Sequence, residues 1–187
     1  ISMATTNTMS RIQGLYAITD SGLLQGKLLP AVAAALQGGA QIIQYRDKIA
    51  IGLSADANQR EQQRRHDEAT ALLALCRQHH IPLLINDDVA LAQAIGADGV
   101  HLGQGDGSLF AARARLGANA IIGVTCHDRL DFAKIAARDG ASYVAFGAMF
   151  ASDTKPLAQS CPLSTLTEAR AQLPLPLVAI GGITPDN

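Results

Sequence analysis

The segment QGGAQIIQYRDK, residues 37–48, carries a pattern that repeats along the chain and decides the fold. A helical stretch ends at glycine, and a short apolar run follows. Glycine just after a helix supplies the left-handed residue that closes it. The apolar run shows no polar alternation, which is typical of a strand covered on both faces. The same order of features recurs in IGADGVHLG, LGANAIIGV and DGASYVAFG.

Strands that alternate with helices across short connections imply a parallel sheet with right-handed crossovers. We predict seven strands, near residues 14–19, 40–47, 81–86, 99–103, 120–125, 143–150 and 175–181. Helical patterns occur at 66–79 and 129–138, whereas the polar stretch 54–68 is predicted to be a solvated loop leading into a helix. Seven evenly spaced strands favour a (β/α)₈ TIM barrel, with an open doubly wound sheet as the alternative.

The predicted barrel would be a single domain over residues 11–187, preceded by a disordered or non-native stretch at 1–10. A closed barrel of this class has eight strands, because open sheet edges leave unpaired backbone groups. We therefore expect an eighth βα unit that the sequence as given lacks.

Composition excludes several classes of protein. The 187 residues carry a net charge of −1 and are 48% hydrophobic, which suits one soluble α/β domain with a sizeable core and gives no reason to expect nucleic acid or an anionic membrane as a partner. No apolar run approaches the roughly 20 residues that cross a bilayer, and no signal-peptide core is present. Three widely spaced cysteines (Cys76, Cys126 and Cys161) indicate reduced thiols and a cytoplasmic location. A homo-oligomer is compatible with these data.

Polar residues gather where the predicted strands end. Gln44, Arg46 and Lys48 share one face of their strand, which for one strand alone would indicate only a solvated edge. Other strand ends turn polar in the same way, and in parallel barrels these ends carry the chemistry. The polar residues at the other ends are Thr19, Asp20, Asn86, Asp87, Asp88, Gln104, Asp106, Thr125, His127, Ser152, Thr154 and Lys155. Their recurrence favours a functional site.

The residue types indicate a phosphorylated ligand bound with a metal ion. Arg46, Lys48 and Lys155 supply cations for phosphate oxygens, and Gly181-Gly182 offers backbone N–H groups to an anion. Carboxylates among such cations would repel phosphate unless a metal intervenes, so Asp87 and Asp106 predict Mg²⁺.

Simpler roles exist for several of the acidic and histidine residues. Asp87 or Asp88 could cap the following helix, and we assign that role to Asp88. Asp106 lies in GQGDGS and could shape a turn. His79 and His80 are placed at a helix C-terminus, His101 is expected to be a hydrogen-bonded core residue, and His127 could border the site. No Ser-His-Asp or Cys-His set supports nucleophilic hydrolysis.

Six motifs in this order resemble one known family. They are IIQYRDK, LLINDDVALA, GADGVHLGQGD, IIGVTCH, YVAFGAMFASDTKP and VAIGGIT, and the similarity runs from GLYAITD at 14–20 to IGGIT at 180–184. The chain resembles the thiamine-phosphate synthase (thiamine-phosphate pyrophosphorylase) family. That resemblance implies a TIM barrel that joins a pyrimidine diphosphate to a thiazole phosphate and releases pyrophosphate with Mg²⁺.

The resemblance also implies roles for single residues. The implied catalytic residues are Arg46, Lys48, Lys155 and Thr125. The implied substrate-binding residues are Gln44, Tyr45, Arg46, Asp47, Lys48, Asn86, Thr125, Ser152, Asp153, Thr154, Lys155 and Gly182. The implied metal ligands are Asp87 and Asp106.

Three other functions are weighed against the synthase. A thiazole tautomerase of the sister group would need an acid-base residue, for which His127 is the placed candidate. A non-catalytic barrel that binds a phosphate ligand would show binding without turnover. An isomerase of phosphorylated sugars would need a Glu or a Lys-Asp pair at a strand end, and none of the predicted strand ends carries Glu.

Overall fold

The computed structural model describes residues 12–151 and 160–187. Strands and helices alternate along it, as the repeated pattern predicted. The strands are β1 Leu15–Ile18, β2 Ala40–Tyr45, β3 Leu83–Asn86, β4 Gly99–Leu102, β5 Ile121–His127, β6 Tyr143–Phe146 and β7 Leu177–Ala179. The helices are α1 Ser21–Leu24, α2 Leu28–Gln37, α3 Ala55–Gln78, α4 Val89–Ile95, α5 Leu109–Leu116, α6 Leu130–Arg138 and α7 Leu163–Gln172. All seven predicted strands are confirmed, with shifted ends.

The chain divides into two compact units, which we call the first unit (residues 11–100) and the second unit (from residue 101 to 187). In the first unit β1 pairs with β2 and β2 pairs with β3, both in parallel. In the second unit β5 pairs with β6 and β6 with β7, again in parallel. The predicted parallel α/β class is therefore confirmed, while closure as an eight-unit barrel stays a prediction.

The inner strands are apolar because both of their faces are covered. Ile43 in β2 and the run Leu83–Ile85 in β3 are fully buried, as are all four residues of β6. Outer strand β1 is different, since Leu15 and Ile18 are exposed. The absence of polar alternation in the sequence thus reflects two-sided burial of the inner strands.

The prediction of a loop at 54–68 is wrong, because helix α3 already begins at Ala55. Ser54 caps it by accepting a hydrogen bond from the Ala57 N–H at 3.3 Å. Arg64 then bonds to Glu61 at 2.7 Å and to Glu68 at 2.8 Å on neighbouring turns. A helix with few apolar residues in its first half is stabilised by such pairs three and four residues apart. The predicted helix at 66–79 is the second half of α3.

Helix α6 confirms the helical pattern at 129–138, and its alanines pack into the core of the second unit beside Val144 and Phe146. Among the described residues, no helix combines the length and the apolar character that a membrane span requires.

Candidate active site

The even-numbered residues at the end of β2 contact polar groups that follow or belong to β1. Gln44 is buried and its Nε2 donates to the Tyr16 hydroxyl at 2.8 Å. One residue beyond the strand, Arg46 Nη1 lies 3.1 Å from Asp20 Oδ2. The same Asp20 caps α1 through its other oxygen, which accepts from Leu23 N at 3.1 Å. The guanidinium of Arg46 is therefore held at a strand end by a carboxylate that is itself fixed.

Buried Thr19 fixes the backbone at this point. Its hydroxyl oxygen accepts from the Arg46 N–H at 2.9 Å, and its own N–H donates to the Gln44 carbonyl at 2.9 Å. The chain after β2 is thus tied to the chain after β1 through both backbone and side chain. This explains why a polar residue is buried at 19.

Lys48 reaches the end of β3. Its ammonium lies 3.4 Å from Asp87 Oδ2, and Asn86 Nδ2 donates to the same oxygen at 2.7 Å. Asp87 has a left-handed backbone with φ of 61°, a conformation that aspartate adopts more easily than most residues but that still carries strain. The structure brings Lys48, Asn86 and Asp87 together as the sequence analysis placed them, at neighbouring strand ends.

Asp87 fits a divalent cation. Both of its contacts use Oδ2, which leaves Oδ1 available within the part of the chain that the structure describes. Mg²⁺ commonly takes one or two carboxylates and completes its shell with water and substrate phosphates. No group of three His, Cys, Asp or Glu side chains that could hold a metal occurs in residues 12–151 and 160–187, so a site that relied on protein ligands alone is not present there.

The odd-numbered residues of the same segment face helix α3. The Tyr45 hydroxyl donates to Glu68 Oε2 at 2.7 Å, and Asp47 Oδ2 accepts from Arg64 Nη2 at 2.5 Å. Burial, together with the bond and charge of Glu68, raises the pKa of Tyr45 far above its usual value. Burial alone would raise the pKa of Asp47, but hydrogen bonds from Ser21 and Arg64 and the nearby arginine charges hold it below its usual value. The implied substrate contacts of Tyr45 and Asp47 stay predictions.

Helix α3 supplies a second arginine that the sequence analysis overlooked. Arg65 Nη1 lies 3.0 Å from Asp88 Oδ2, directly after Asp87. Asp88 also caps α4 by accepting from Leu91 N at 2.9 Å, so its predicted capping role is confirmed. The adjacent arginines in the stretch 54–68 could have indicated ion pairs with acidic residues at the strand ends. This was missed because the stretch was predicted to be a loop and not a helix.

In the second unit, His101 connects two strands through neutral groups. Its Nδ1 lies 2.8 Å from the Tyr143 hydroxyl and its Nε2 lies 2.8 Å from Thr125 Oγ1. The prediction that His101 is a hydrogen-bonded core residue is confirmed, since it is buried and its ring stacks on that of Tyr143. Gly123 makes room for this ring, because an added Cβ would lie 1.9 Å from Tyr143 Cζ. Thr125 is thereby oriented by a histidine.

The loop after β4 folds against Thr125 and on itself. Gln104 Nε2 donates to the Thr125 carbonyl, and Asp106 Oδ2 accepts from the Gly103 N–H at 3.1 Å. The turn-shaping role that we considered for Asp106 is therefore present. A role as metal ligand for Asp106 stays a prediction.

The remaining predicted residues lie at the ends of β5 to β7. His127 is exposed at the end of β5 with φ of 54°. Gly182 has φ of 62°, and a Cβ there would lie 2.5 Å from the Ala151 carbonyl oxygen, so only glycine fits beside this chain. The predicted residues Ser152, Asp153, Thr154 and Lys155 lie outside the described residues.

His79 caps the C-terminus of α3, and His80 follows it with a left-handed backbone. Their predicted placement at a helix end is confirmed.

Comparisons with known proteins agree with one another. The family model described as thiamine monophosphate synthase matches residues 15–187. A thiamine-phosphate synthase from Chromobacterium violaceum is 52% identical over 95% of this chain and 80% of its own length. Another from Nitrosococcus oceani is 53% identical over 95% of this chain and 78% of its own length.

Among solved structures, the thiamine phosphate pyrophosphorylase from Pyrococcus furiosus superimposes with a TM-score of 0.77 and 33% identity. The match covers 97% of this chain and 79% of that one. On these grounds the chain belongs to the thiamine-phosphate synthase family.

Proposed function

We propose that this chain joins 4-amino-2-methyl-5-hydroxymethylpyrimidine diphosphate to 4-methyl-5-(2-phosphoethyl)thiazole, giving thiamine phosphate and pyrophosphate. The observation that carries the proposal is an identity above one half, over 95% of the chain, to relatives named for this activity. The cation-bearing strand ends of the first unit support it, because the proposed substrates are phosphate esters.

The chemistry asks little of a general base. The bond between the pyrimidine methylene carbon and the diphosphate oxygen breaks, and its electron pair leaves with pyrophosphate. The amino group of the pyrimidine stabilises the resulting cation, and the lone pair of the thiazole nitrogen then forms the new C–N bond. Catalysis therefore depends on stabilising the departing charge and on aligning the nitrogen.

Arg46 and Lys48 are the described cations that suit the departing diphosphate. Each is now paired with one carboxylate, Asp20 and Asp87 respectively. A diphosphate offers several anionic oxygens and can recruit both cations. Lys155 would add a third cation to the same leaving group.

The substrate-binding residues divide between the two substrates. Gln44, Asn86 and Thr125 would bind the pyrimidine diphosphate. Tyr45 and Asp47 would support that segment from the α3 side, whereas Ser152, Thr154 and Gly182 would bind the thiazole phosphate.

Asp87 and Asp106 are the proposed ligands of Mg²⁺. When bound, Mg²⁺ neutralises charge that develops on the leaving group. The available Oδ1 of Asp87 supports this assignment.

The test is to mix the purified chain with both substrates and to follow thiamine phosphate, first with Mg²⁺ and then with excess chelator. We expect metal-dependent product, and we expect Asp87→Asn to abolish it while Asp131→Asn, at an exposed position on α6, retains it. Product that persists in chelator would refute the metal assignment. Binding of the thiazole phosphate without product would instead favour a tautomerase or a non-catalytic barrel.

A further inference from the structure

Helix α3 carries a guanidinium that faces two strand ends, and the mechanism above gives it no role. The Arg65 side chain is only 12% exposed. Its Nη1 lies 3.0 Å from Asp88 Oδ2 after β3, and its Nε lies 4.0 Å from Asp47 Oδ2 after β2. One largely covered cation thus lies near carboxylates of two segments that leave neighbouring strands.

The two carboxylates that Arg65 faces are direct chain neighbours of proposed site residues. Asp47 lies between Arg46 and Lys48, and Asp88 follows Asp87. Side chains of adjacent residues in an extended segment point to opposite sides. Asp47 is held toward α3 by Arg64 Nη2 at 2.5 Å, with Arg65 Nε 4.0 Å away. Arg46 and Lys48 therefore point away from the helix, and the observed contacts of these two cations agree with that orientation.

The contact between Lys48 and Asp87 depends on how these two segments are spaced. Lys48 belongs to the segment after β2 and Asp87 to the segment after β3, and their charged atoms are 3.4 Å apart. The Lys48 side chain is 63% exposed, and an exposed ion pair holds geometry weakly by itself. The Arg65 guanidinium is less exposed; it bonds Asp88 after β3 and lies 4.0 Å from Asp47 after β2, so its charge links the two segments.

Maximal stability does not explain the placement of Arg65. Its Nε is buried and has no hydrogen-bond partner among the described residues, because 4.0 Å exceeds hydrogen-bonding distance to Asp47. A buried donor without a partner opposes stability. Arg65 therefore bonds one carboxylate through Nη1 and leaves its Nε unpaired among the described residues.

We propose that Arg65 is a positioning residue, which sets the spacing of Lys48 and Asp87 for the diphosphate of the substrate. This inference rests on the proposed function. It assigns to Arg65 no contact with substrate, so its effect must pass through Lys48 and Asp87.

The first experiment compares Arg65→Gln with Arg60→Gln, an exposed position on the same helix. We expect kcat of Arg65→Gln to fall about 10- to 100-fold, as for other residues that orient a charged site, while Arg60→Gln stays at the wild-type value. Arg65→Lys should recover only part of the loss, because lysine keeps the charge but lacks the planar guanidinium that bonds Asp88 through Nη1. A purely stabilising role would lower the Tm and leave kcat of the folded fraction unchanged, which would overturn the proposal.

The second experiment is a double-mutant cycle with Lys48→Met, read as the Kd for inorganic pyrophosphate by calorimetry. The titration is run without Mg²⁺, so that Asp87 does not contribute through a metal; if Arg65 acts through Lys48, the double variant then binds no more weakly than Lys48→Met alone. Losses that multiply would contradict the inference. If Arg65→Gln fails to fold, Arg65→Lys takes its place in the cycle with the same criterion. Should the wild type form no thiamine phosphate, the proposed function fails, whereas pyrophosphate affinity still decides the role of Arg65.

Discussion

The two units hold their strand-end residues by different physical means. In the first unit the ends of β2 and β3 are fixed by ion pairs, which join Arg46 to Asp20, Lys48 to Asp87 and Arg65 to Asp88. In the second unit Thr125 is held by a hydrogen bond with His101, whose ring in turn bonds and stacks on Tyr143. Ion pairs thus hold the charged side chains after β2 and β3, whereas hydrogen bonds and ring stacking hold Thr125 and His101.

This difference indicates that the two units contribute differently to the proposed reaction. Arginine and lysine side chains that are already charged and paired with carboxylates can bind a polyanion without a new cost of desolvating a charge. A hydroxyl held by a buried histidine supplies a fixed direction and little charge. We therefore expect the first unit to govern the leaving group and its dependence on salt and pH. The second unit is expected to govern geometry.

The largest expected effect contrasts the two kinds of residue directly. Arg46→Met should lower kcat about 10²- to 10³-fold, because it removes a cation proposed to stabilise departing charge. Thr125→Val should lower kcat only about tenfold, because it removes one neutral hydrogen bond, which is worth about 1 kcal/mol. Steady-state kinetics with both substrates measures this, and Arg170→Met on exposed α7 is the control. A larger loss from Thr125→Val would reverse the assignment of the two units.

The next prediction disturbs the second unit alone. In Gly123→Ala the new Cβ would lie 1.9 Å from Tyr143 Cζ, so the ring must shift from its position beside His101. Overpacking of this kind costs about 2–3 kcal/mol. The matched control is Gly105→Ala, where nothing lies within 4 Å. Urea unfolding compares the two, and equal midpoints would show that the Tyr143 ring is not tightly held.

The ion pair of Asp47 in the first unit should make the free energy of unfolding depend on pH. Its folded-state pKa lies below the usual 3.8, so its charge stabilises the fold at higher pH. That stabilisation is lost as the pH falls through the folded-state pKa. Asp47→Asn should cost about 2 kcal/mol at pH 7, and the gap to wild type should narrow as the pH falls below 3.8. The free energy of unfolding in urea from pH 7 to pH 3 measures this. Asp67→Asn, exposed on α3, is the control, and a gap independent of pH would exclude the ion pair as the cause.

The smallest expected effect is a difference in salt dependence between the two units, measured by the reactivity of one buried cysteine in each. Burial raises the pKa of Cys76 in the first unit to about 11 and that of Cys126 in the second to about 12. Neither thiol should react with iodoacetamide at pH 8 until its unit unfolds. Because salt screens ion pairs, 1 M NaCl should destabilise the Cys76 region by about 0.5 kcal/mol more than the Cys126 region. Mass spectrometry of labelled peptides along a urea series measures both, and identical shifts would argue against the contrast.

Sequence patterns predicted the strands better than the polar helix. The strand at 81–86 was predicted because a short apolar run after a helix is typical of a strand buried on both faces. Strand β3 confirms this prediction. The first half of α3 was missed because its stability comes from pairs such as Arg64 with Glu68 rather than from an apolar face. Local hydrophobic periodicity does not report such pairs.

The sequence by itself determined the parallel α/β class, the positions of the strands and the types of residue at their ends. These features follow from the hydrophobic periodicity and from glycine at helix ends, both of which depend on only a few neighbouring residues. Only the tertiary structure decided that Asp47 faces Arg64 while Lys48 faces Asp87. Such pairings join residues 17 and 39 positions apart in the chain, and they depend on register and burial, because a charge selects its partner by distance in space rather than along the sequence.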